Sequence, residues 1–225
     1  MVTFNNLRKR EYGASASADG YTTRYGVTAP ITVNETTNTD VILNKVSADG
    51  LLKEYDFEDG DVSMFVSPED NAAGAVAATA VDGKAQIKFP GGGRACVYIE
   101  DEDLDRVKNG RIEADITAMQ ANGIRFGVNF RGSDFNHRVW VGVGDANDKY
   151  FWEWWNGSAT SYSGMYSGQE HFKSGETVHL VAEIKNNTVK LTLDGEVVLN
   201  TSISGNIPTD GGWFGFECRN GYTFQ

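Results

Sequence analysis

Strict alternation of side-chain character decides the fold at residues 124–131, which read Ile-Arg-Phe-Gly-Val-Asn-Phe-Arg. Successive side chains of an extended strand point to opposite faces of its sheet. One face of this strand is apolar and carries Phe126, Val128 and Phe130. The other face carries the polar side chains Arg125, Asn129 and Arg131. The stretch is therefore predicted to be a β-strand with one face in a core.

The same pattern recurs in short runs that begin after residue 50, bounded by turn signals. The other runs are 54–58, 85–89, 95–99, 111–118, 138–143, 150–155, 178–185, 189–193, 196–199 and 213–219. Four dipeptides between them suit tight hairpin turns, Asp82-Gly83, Asn109-Gly110, Asn122-Gly123 and Asp194-Gly195. Many short strands joined by such turns predict an all-β, antiparallel two-sheet sandwich.

The segments outside these runs are predicted from their composition. Residues 1–50 hold an N-terminal stretch and a region rich in Ser, Thr and Asn, which predicts a linker or extended arm. Residues 51–225 form the β-sandwich module. One Ala-rich segment, 72–80, is a candidate helix, although it contains a glycine and has no polar face.

Composition restricts the partners of the chain. Its 225 residues carry a net charge of −11, which argues against nucleic acid and anionic membranes as ligands. No apolar run approaches the roughly 18–20 residues of a membrane span. Cys96 and Cys218 lack the spacing of a zinc site, and they are either one disulfide or two small buried side chains.

Several aromatic motifs, taken in order, are similar to a known group of modules. They are Gly123–Arg131, the run Trp-Val-Gly-Val-Gly at 140–144, Tyr-Phe-Trp-Glu-Trp-Trp at 150–155, Leu-Asp-Gly-Glu-Val-Val at 193–198 and Gly-Trp-Phe-Gly-Phe at 212–216. Over residues 51–225 the chain resembles the concanavalin A-like or laminin G-like accessory modules of Gram-positive surface glycosidases. The likeness is strongest to those of endo-α-N-acetylgalactosaminidases, which act on mucin-type O-glycans.

This resemblance implies a jelly-roll sandwich and a non-catalytic, carbohydrate-binding role in a secreted or cell-surface bacterial protein. The implied parent is a larger glycoside hydrolase, and the implied ligand is a glycan that contains galactose or N-acetylgalactosamine. Such modules close with a strand that reads like Phe-Asp-Asn followed by apolar residues, and Val2-Thr-Phe-Asn-Asn-Leu7 looks like that strand. That segment is expected either to end a preceding module or to close this one.

An aromatic and arginine surface is the strongest candidate for glycan binding. Sugars present an apolar C–H face and a rim of hydroxyls, which suit aromatic rings flanked by planar polar groups. The candidate residues are Arg125, Asn129, Arg131, Arg138, Trp140, Tyr150, Trp152 and Trp154. Alternation places Phe151, Glu153 and Trp155 opposite the last three, and the sequence leaves open which set is core. The arginines have the alternative of pairing with Glu113 and Asp115 in solvent.

An acidic cluster, Asp56 with Glu58, Asp59 and Asp61, is the candidate metal site. Closely spaced carboxylates suit Ca²⁺, and related modules often hold a structural calcium near this strand; the alternative is a solvated acidic turn. Autonomous catalysis is not predicted, because the chain lacks Glu-x-Asp-x-x-Glu and Gly-x-Ser-x-Gly. The competing functions are a structural spacer or adhesin and, less favoured, a glycan hydrolase or lyase of the same fold.

Overall fold

A computed structural model describes residues 53–101, 104, 107–120, 125–144, 149–157, 171–209 and 211–225, together with the backbone of 159–167. It also describes four two-residue strands near the N-terminus. The chain divides into two units, Met1–Glu54 and Tyr55–Gln225. In the first unit β1 (Glu11–Tyr12) pairs with β4 (Ala29–Pro30), and β2 (Ser15–Ala16) pairs with β3 (Arg24–Tyr25). The segment 2–7, expected to form a closing strand, lies outside the described residues.

The second unit is an all-β sandwich whose strands pair antiparallel, as predicted. Its strands are β5 (Phe65–Val66), β6 (Ala77–Val81), β7 (Lys84–Lys88), β8 (Arg94–Ile99), β9 (Gly110–Thr117), β10 (Arg125–Asp134), β11 (His137–Gly144), β12 (Lys149–Asn156), β13 (Ala159–Ser167), β14 (Thr177–Lys185), β15 (Thr188–Leu193), β16 (Glu196–Ser202), β17 (Trp213–Arg219) and β18 (Thr223–Phe224). None of the described residues belongs to a helix that is long and apolar enough to cross a membrane.

The strands form two facing layers. The first is a seven-stranded sheet in the order β13-β12-β11-β10-β17-β8-β5. The second combines a four-stranded sheet, β16-β15-β14-β9, with a three-stranded sheet, β18-β7-β6. These two sheets meet where Ala118 bridges Phe224, and the Thr117 N–H donates to the Gln225 carbonyl at 2.6 Å. Each layer therefore contains seven strands.

The core lies between the layers and is rich in phenylalanine. Phe126 stacks on Phe224 at a centroid distance of 4.0 Å, and Phe216 and Phe172 contact it at 5.9 and 5.8 Å. Leucines of β14 and β15 supply fully buried aliphatic side chains from the opposite layer. Burial of such apolar side chains is the main favourable term in folding. The apolar faces predicted from alternation are confirmed.

Three local predictions are corrected. The candidate helix at 72–80 is absent, and its second half is strand β6, which forms a hairpin with β7. Asp82 and Gly83 turn this hairpin with φ values of 52° and 71°, and Asp194 and Gly195 turn the β15–β16 hairpin in the same way. The run 54–58 forms no strand. Gly110 begins β9 rather than turning a hairpin, and the Asn122-Gly123 turn lies outside the described residues.

The two cysteines are free thiols on adjacent strands. Cys96 of β8 pairs with Glu217, and Cys218 of β17 pairs with Ala95, so the cysteines are one register position apart. Their side chains therefore point to opposite faces of the sheet. Both are buried, which agrees with the alternative of two small buried side chains rather than a disulfide.

Candidate functional site

The seven-stranded sheet has an outer face, the one turned away from the sandwich core, and its chemistry differs from that of the core. Strand pairing fixes which side chains share this face. Asn129 of β10 lies beside Trp140 of β11, and Trp140 lies beside Glu153 of β12. Two residues earlier on β11, Arg138 lies beside Trp155 of β12. The outer face therefore carries polar and aromatic side chains drawn from four neighbouring strands and from β8.

Five charged side chains on this face form a connected network, here called the ionic layer. They are Arg94, Arg125, Arg138, Glu153 and Glu217. Arg138 donates two hydrogen bonds to Glu217, from Nε at 2.5 Å and from Nη2 at 2.9 Å. Arg94 bridges the carboxylates, with Nη1 at 2.5 Å from Glu153 and Nε at 3.3 Å from Glu217. Arg125 donates to Glu153 at 3.0 Å.

Aromatic rings enclose the ionic layer. The Arg94 guanidinium lies 4.5 Å from the Trp155 ring centroid and 5.5 Å from that of Trp140. The Arg125 guanidinium lies 5.0 Å from Trp140 and 4.5 Å from Phe151. Contacts of a cation with an aromatic face are favourable, more so when both groups are removed from water. The rings thus shield the guanidinium groups from solvent and, through these contacts, also stabilise them.

Burial makes the pairing in this layer energetically important. Arg138, Trp140 and Glu217 each have 0% of their surface exposed. Burial by itself would lower the pKa of Arg138, but the charge and hydrogen bonds of Glu217 outweigh it, and the pKa is raised. Burial raises the pKa of the neighbouring Cys96 thiol to about 12. At neutral pH the charged Arg138 guanidinium therefore lies near a neutral thiol.

Two tryptophans at the border of the ionic layer remain partly exposed, and we call them the aromatic rim. Trp155 donates its indole N–H to Glu153 and lies against Arg94. Trp213 contacts Tyr98 at a centroid distance of 5.4 Å and packs with Phe135. Phe135 in turn lies 4.3 Å from the Arg138 guanidinium. The rim tryptophans are thus held in fixed orientations by buried partners.

Several buried polar atoms of the outer face have no hydrogen-bond partner within the described part of the chain. They are Arg94 Nη2, Arg138 Nη1, Trp140 Nε1, and both Nδ2 and Oδ1 of Asn129. Buried polar groups in folded proteins are nearly always paired, because leaving one unpaired costs about 1–3 kcal/mol. This concentration of unpaired groups distinguishes the outer face chemically.

The structure separates the eight residues that the sequence assigned to one surface. Arg125, Asn129, Arg138 and Trp140 share the outer face. Tyr150, Trp152 and Trp154 lie on the opposite side of β12, because they pair with the core-facing Val143, Val141 and Val139. All three are buried, and Trp154 donates its N–H to the Ser204 carbonyl at 3.0 Å. Their assignment to the arginine surface is corrected, and the β12 rings on that surface are Phe151 and Trp155.

Arg131 also lies apart from the network. It sits at a register shift in β10 with a φ of 55°. Its guanidinium donates to three main-chain carbonyls, those of Lys108 at 2.8 Å, Pro208 at 3.0 Å and Asn186 at 2.5 Å. Arg131 thus connects three loops rather than contributing to the outer face. The alternative partners Glu113 and Asp115 are on β9 in the other layer.

The carboxylates proposed to hold Ca²⁺ are engaged in local turns. The Asp59 carboxylate accepts the Asp61 N–H at 2.9 Å, and Asp61 accepts the Ser63 N–H at 2.8 Å. The Ser63 hydroxyl and, to a smaller extent, this N–H lower the pKa of Asp61. Asp56 similarly accepts the N–H of Glu58 at 3.2 Å. No three His, Cys, Asp or Glu side chains of the described residues converge in a metal-binding arrangement. Calcium binding by Glu58, Asp59 and Asp61 stays a prediction.

Sequence reasoning missed four members of the site, Arg94, Phe135, Trp213 and Glu217. A signal exists for Glu217, because an acid within the run Trp-Phe-Gly-Phe-Glu-Cys-Arg at 213–219 is unusual in a buried strand. Such an acid implies a buried cation as its partner. The sequence alone does not show that this cation is Arg138, because Arg138 lies 79 residues away and meets Glu217 only in the fold.

Comparison with solved structures identifies the architecture. The carbohydrate-binding module CBM66 from Bacillus subtilis superposes with a TM-score of 0.55 at 17% identity, covering 72% of this chain and 92% of that one. A family 16 endo-glucanase from Bacteroides ovatus gives 0.52 at 10% identity, covering 76% and 86%. The β-glucanase of Bacillus licheniformis gives 0.50 at 12% identity, covering 74% and 84%.

The fold is a jelly-roll sandwich. At these identities the likeness concerns architecture alone, and it includes both binding modules and glycosidases. No protein-family model matches the chain, and no curated protein matches it either.

Proposed function

We propose that residues 55–225 form a non-catalytic carbohydrate-binding module that docks glycans on the outer face of the seven-stranded sheet. The observation that carries this proposal is the aromatic rim, because Trp155 is partly exposed against the Arg94 guanidinium and Trp213 is partly exposed on the same face. Aromatic faces with adjacent planar donors suit the C–H face and hydroxyl rim of a sugar. The jelly-roll likeness to CBM66 supports the same function.

Within this proposal the ionic layer positions the rim. Glu153 accepts the Trp155 N–H, and Arg94 packs on the ring, so the indole plane has little freedom. A preorganised ring loses little entropy when a ligand stacks on it. Arg125, Asn129, Arg138 and Trp140 form the floor beneath it, and their contribution to glycan affinity is part of the proposal.

A non-catalytic role is favoured over glycan hydrolysis by the state of the two outer-face carboxylates. A glycosidase needs one carboxyl group that stays protonated to act as general acid. Glu153 and Glu217 are each paired with two guanidinium groups, so both carboxyl groups are already engaged within the ionic layer. The parent in this proposal is a secreted or cell-surface bacterial glycoside hydrolase that supplies catalysis in another domain. Tethering to that domain would raise a weak affinity for the glycan.

A second candidate is a structural spacer or adhesin domain that binds no glycan. The burial of Trp140 and Arg138 favours it, because a fully covered ring has no face to offer a sugar. The two candidates make different predictions for Trp155, which a spacer uses only for packing.

A glycan array followed by calorimetric titration tests the proposal. The array includes galactose- and N-acetylgalactosamine-containing mucin-type glycans, since the sequence resemblance favours them. We expect Trp155→Ala and Trp213→Ala to weaken binding of the best glycan at least tenfold. Val197→Ala, which removes an exposed apolar side chain from β16, is the matched control and should leave affinity unchanged. Full affinity in both tryptophan variants would contradict the proposed rim, and no binding to any glycan would favour the spacer.

A further inference from the structure

The unpaired polar atoms of the outer face have a marked bias toward hydrogen-bond donors. Arg94 Nη2, Arg138 Nη1 and Trp140 Nε1 are donors only, and Asn129 offers one donor and one acceptor. Asn129, Arg138 and Trp140 are fully buried, so solvent does not satisfy them. The set contains four donor atoms and one acceptor atom.

This bias selects among ligand groups. A sugar hydroxyl carries a proton of its own, which needs an acceptor, and Asn129 Oδ1 is the single acceptor in this set. The oxygens of a carboxylate or a sulfate only accept, so they match a donor-rich site without leaving an unpaired proton. A guanidinium also binds such groups through two parallel hydrogen bonds. The inventory therefore fits an anionic group better than a neutral one.

The local charge agrees with the donor count. Three guanidinium groups and two carboxylates give the ionic layer a net charge of +1, in a chain whose net charge is −11. On the outer face of the four-stranded sheet, by contrast, His179 lies between the carboxylates Glu113 and Asp115. The net positive charge of the ionic layer favours an anionic ligand on the outer face of the seven-stranded sheet.

Arg94 is the entrance to this site. Its side chain keeps 16% of its surface exposed, whereas the donors behind it are covered. Its guanidinium lies over both Trp140 and Trp155, and it is the residue that joins the two carboxylates. In the binding mode proposed below, this flexible side chain rotates and gives the ligand access to the deeper donors beside the Trp155 ring.

We propose that the glycan recognised on the outer face is acidic, with its carboxylate or sulfate bound by Arg94, Arg138 and Trp140 while its ring stacks on Trp155. This inference rests on the glycan-binding function proposed above and specifies the class of sugar.

The test compares acidic and neutral forms of one oligosaccharide on the full chain. Tryptophan fluorescence and calorimetry are used to titrate a tetragalacturonate, its methyl ester and a sulfated galactan tetrasaccharide at 50 and 300 mM salt. We expect the galacturonate or the sulfated sugar to bind at least tenfold more tightly than the methyl ester. The preference for the acid should decrease at high salt, because salt screens the attraction between the ligand's anionic group and the positively charged outer face. Whichever acid binds identifies the source of the anionic group.

Variants separate this inference from the proposed function. Arg94→Gln should abolish the preference for the acid, whereas Arg111→Gln, which neutralises an exposed arginine of the other layer, should preserve it. Arg94→Lys, which keeps the charge and loses the planar fork, should retain part of the preference and serves if Arg94→Gln fails to fold. Equal affinity for the acid and its ester, or binding of neutral glycans alone, would overturn the acidic specificity and leave glycan binding intact. No binding to any sugar would overturn both.

Discussion

The two outer faces of the sandwich carry the same kind of ion pair in opposite surroundings. On the seven-stranded sheet Arg138 and Glu217 pair with none of either side chain exposed. On the four-stranded sheet Arg111 and Glu113 pair with 52% and 42% of their side chains exposed. Exposed pairs contribute about 0–1 kcal/mol, whereas breaking a buried pair costs several times more. The two pairs have the same chemistry, so the residues that cover a pair from solvent determine how much its loss would destabilise the protein.

The neighbours of each pair explain the difference. Polar side chains fill the outer positions of β9, from Arg111 to Thr117, and each of them extends into solvent. On β10 and β11 the corresponding positions include Gly127, Gly142 and Trp140. Glycines leave room for long side chains to lie flat, and the rings of Phe135 and Trp155 then flank the Arg138 guanidinium.

The largest expected effect is that of Glu217→Gln. The substitution keeps the shape of the side chain but leaves the Arg138 guanidinium buried with no carboxylate bonded to it. Arginine does not deprotonate in proteins, so the variant should lose about 3–5 kcal/mol of unfolding free energy. Urea denaturation followed by tryptophan fluorescence measures this loss. Glu113→Gln on the exposed pair is the control, with a change within about 0.5 kcal/mol. Equal losses in the two variants would show that the outer face is open to water.

The next largest loss of stability is expected at Arg131, a buried cation whose partners are uncharged main-chain carbonyls. Arg131→Ala removes three hydrogen bonds to main-chain carbonyls and should destabilise the protein by about 2–3 kcal/mol. Arg131→Lys should restore little of this, because an ammonium cannot reproduce the planar fork. Chemical denaturation measures both, and the affinity for glycan should stay unchanged. A loss of glycan affinity without a loss of stability would return Arg131 to the binding surface.

A smaller loss of stability is expected at the glycines that allow β10 and β11 to approach closely. A Cβ atom on Gly142 would collide with the main-chain carbonyl of Phe126 and with Gly127 on the adjacent strand. Gly142→Ala should therefore cost about 1–3 kcal/mol. Gly91→Ala is the matched control, because no atom lies within 4 Å of the added methyl group there. Thermal unfolding compares them, and an unchanged melting temperature in both would contradict the close approach of β10 and β11.

The alternation of the sequence was sufficient to predict the layered fold and the opposed faces of β10, because the two-residue period follows from strand geometry. It left β12 undecided, since both of its faces are rich in aromatics. The pairing of Val139 with Trp154 decides that case. The candidate site depends on similar long-range facts. Arg94 and Glu153 are 59 residues apart, and no local pattern indicates that they meet. Strand β6 was misread because an alanine-rich segment has little strand character until β7 pairs with it.

The smallest effect concerns His179 on the exposed outer face. Its ring lies 2.7 Å from Asp115 and 3.1 Å from Glu113, its main-chain N–H donates to Asp194, and 45% of its side chain is exposed. The hydrogen bond to Asp115 is the main cause that raises its pKa, with the charges of both carboxylates adding to it.

A histidine with a raised folded-state pKa stabilises the protein fully below the unfolded pKa of about 6.5, and this contribution disappears as pH rises through the folded value. Unfolding free energy should therefore fall by about 0.3–0.5 kcal/mol from this group between mildly acidic and alkaline pH, the range of an exposed pair. His179→Gln should remove that component, and NMR titration of the ring should show the raised pKa decrease in Asp115→Asn. A normal ring pKa in the unaltered protein would contradict this prediction. It would show that solvent screens the charges of Asp115 and Glu113 at this exposed histidine, unlike the charge of Glu217 at the buried Arg138.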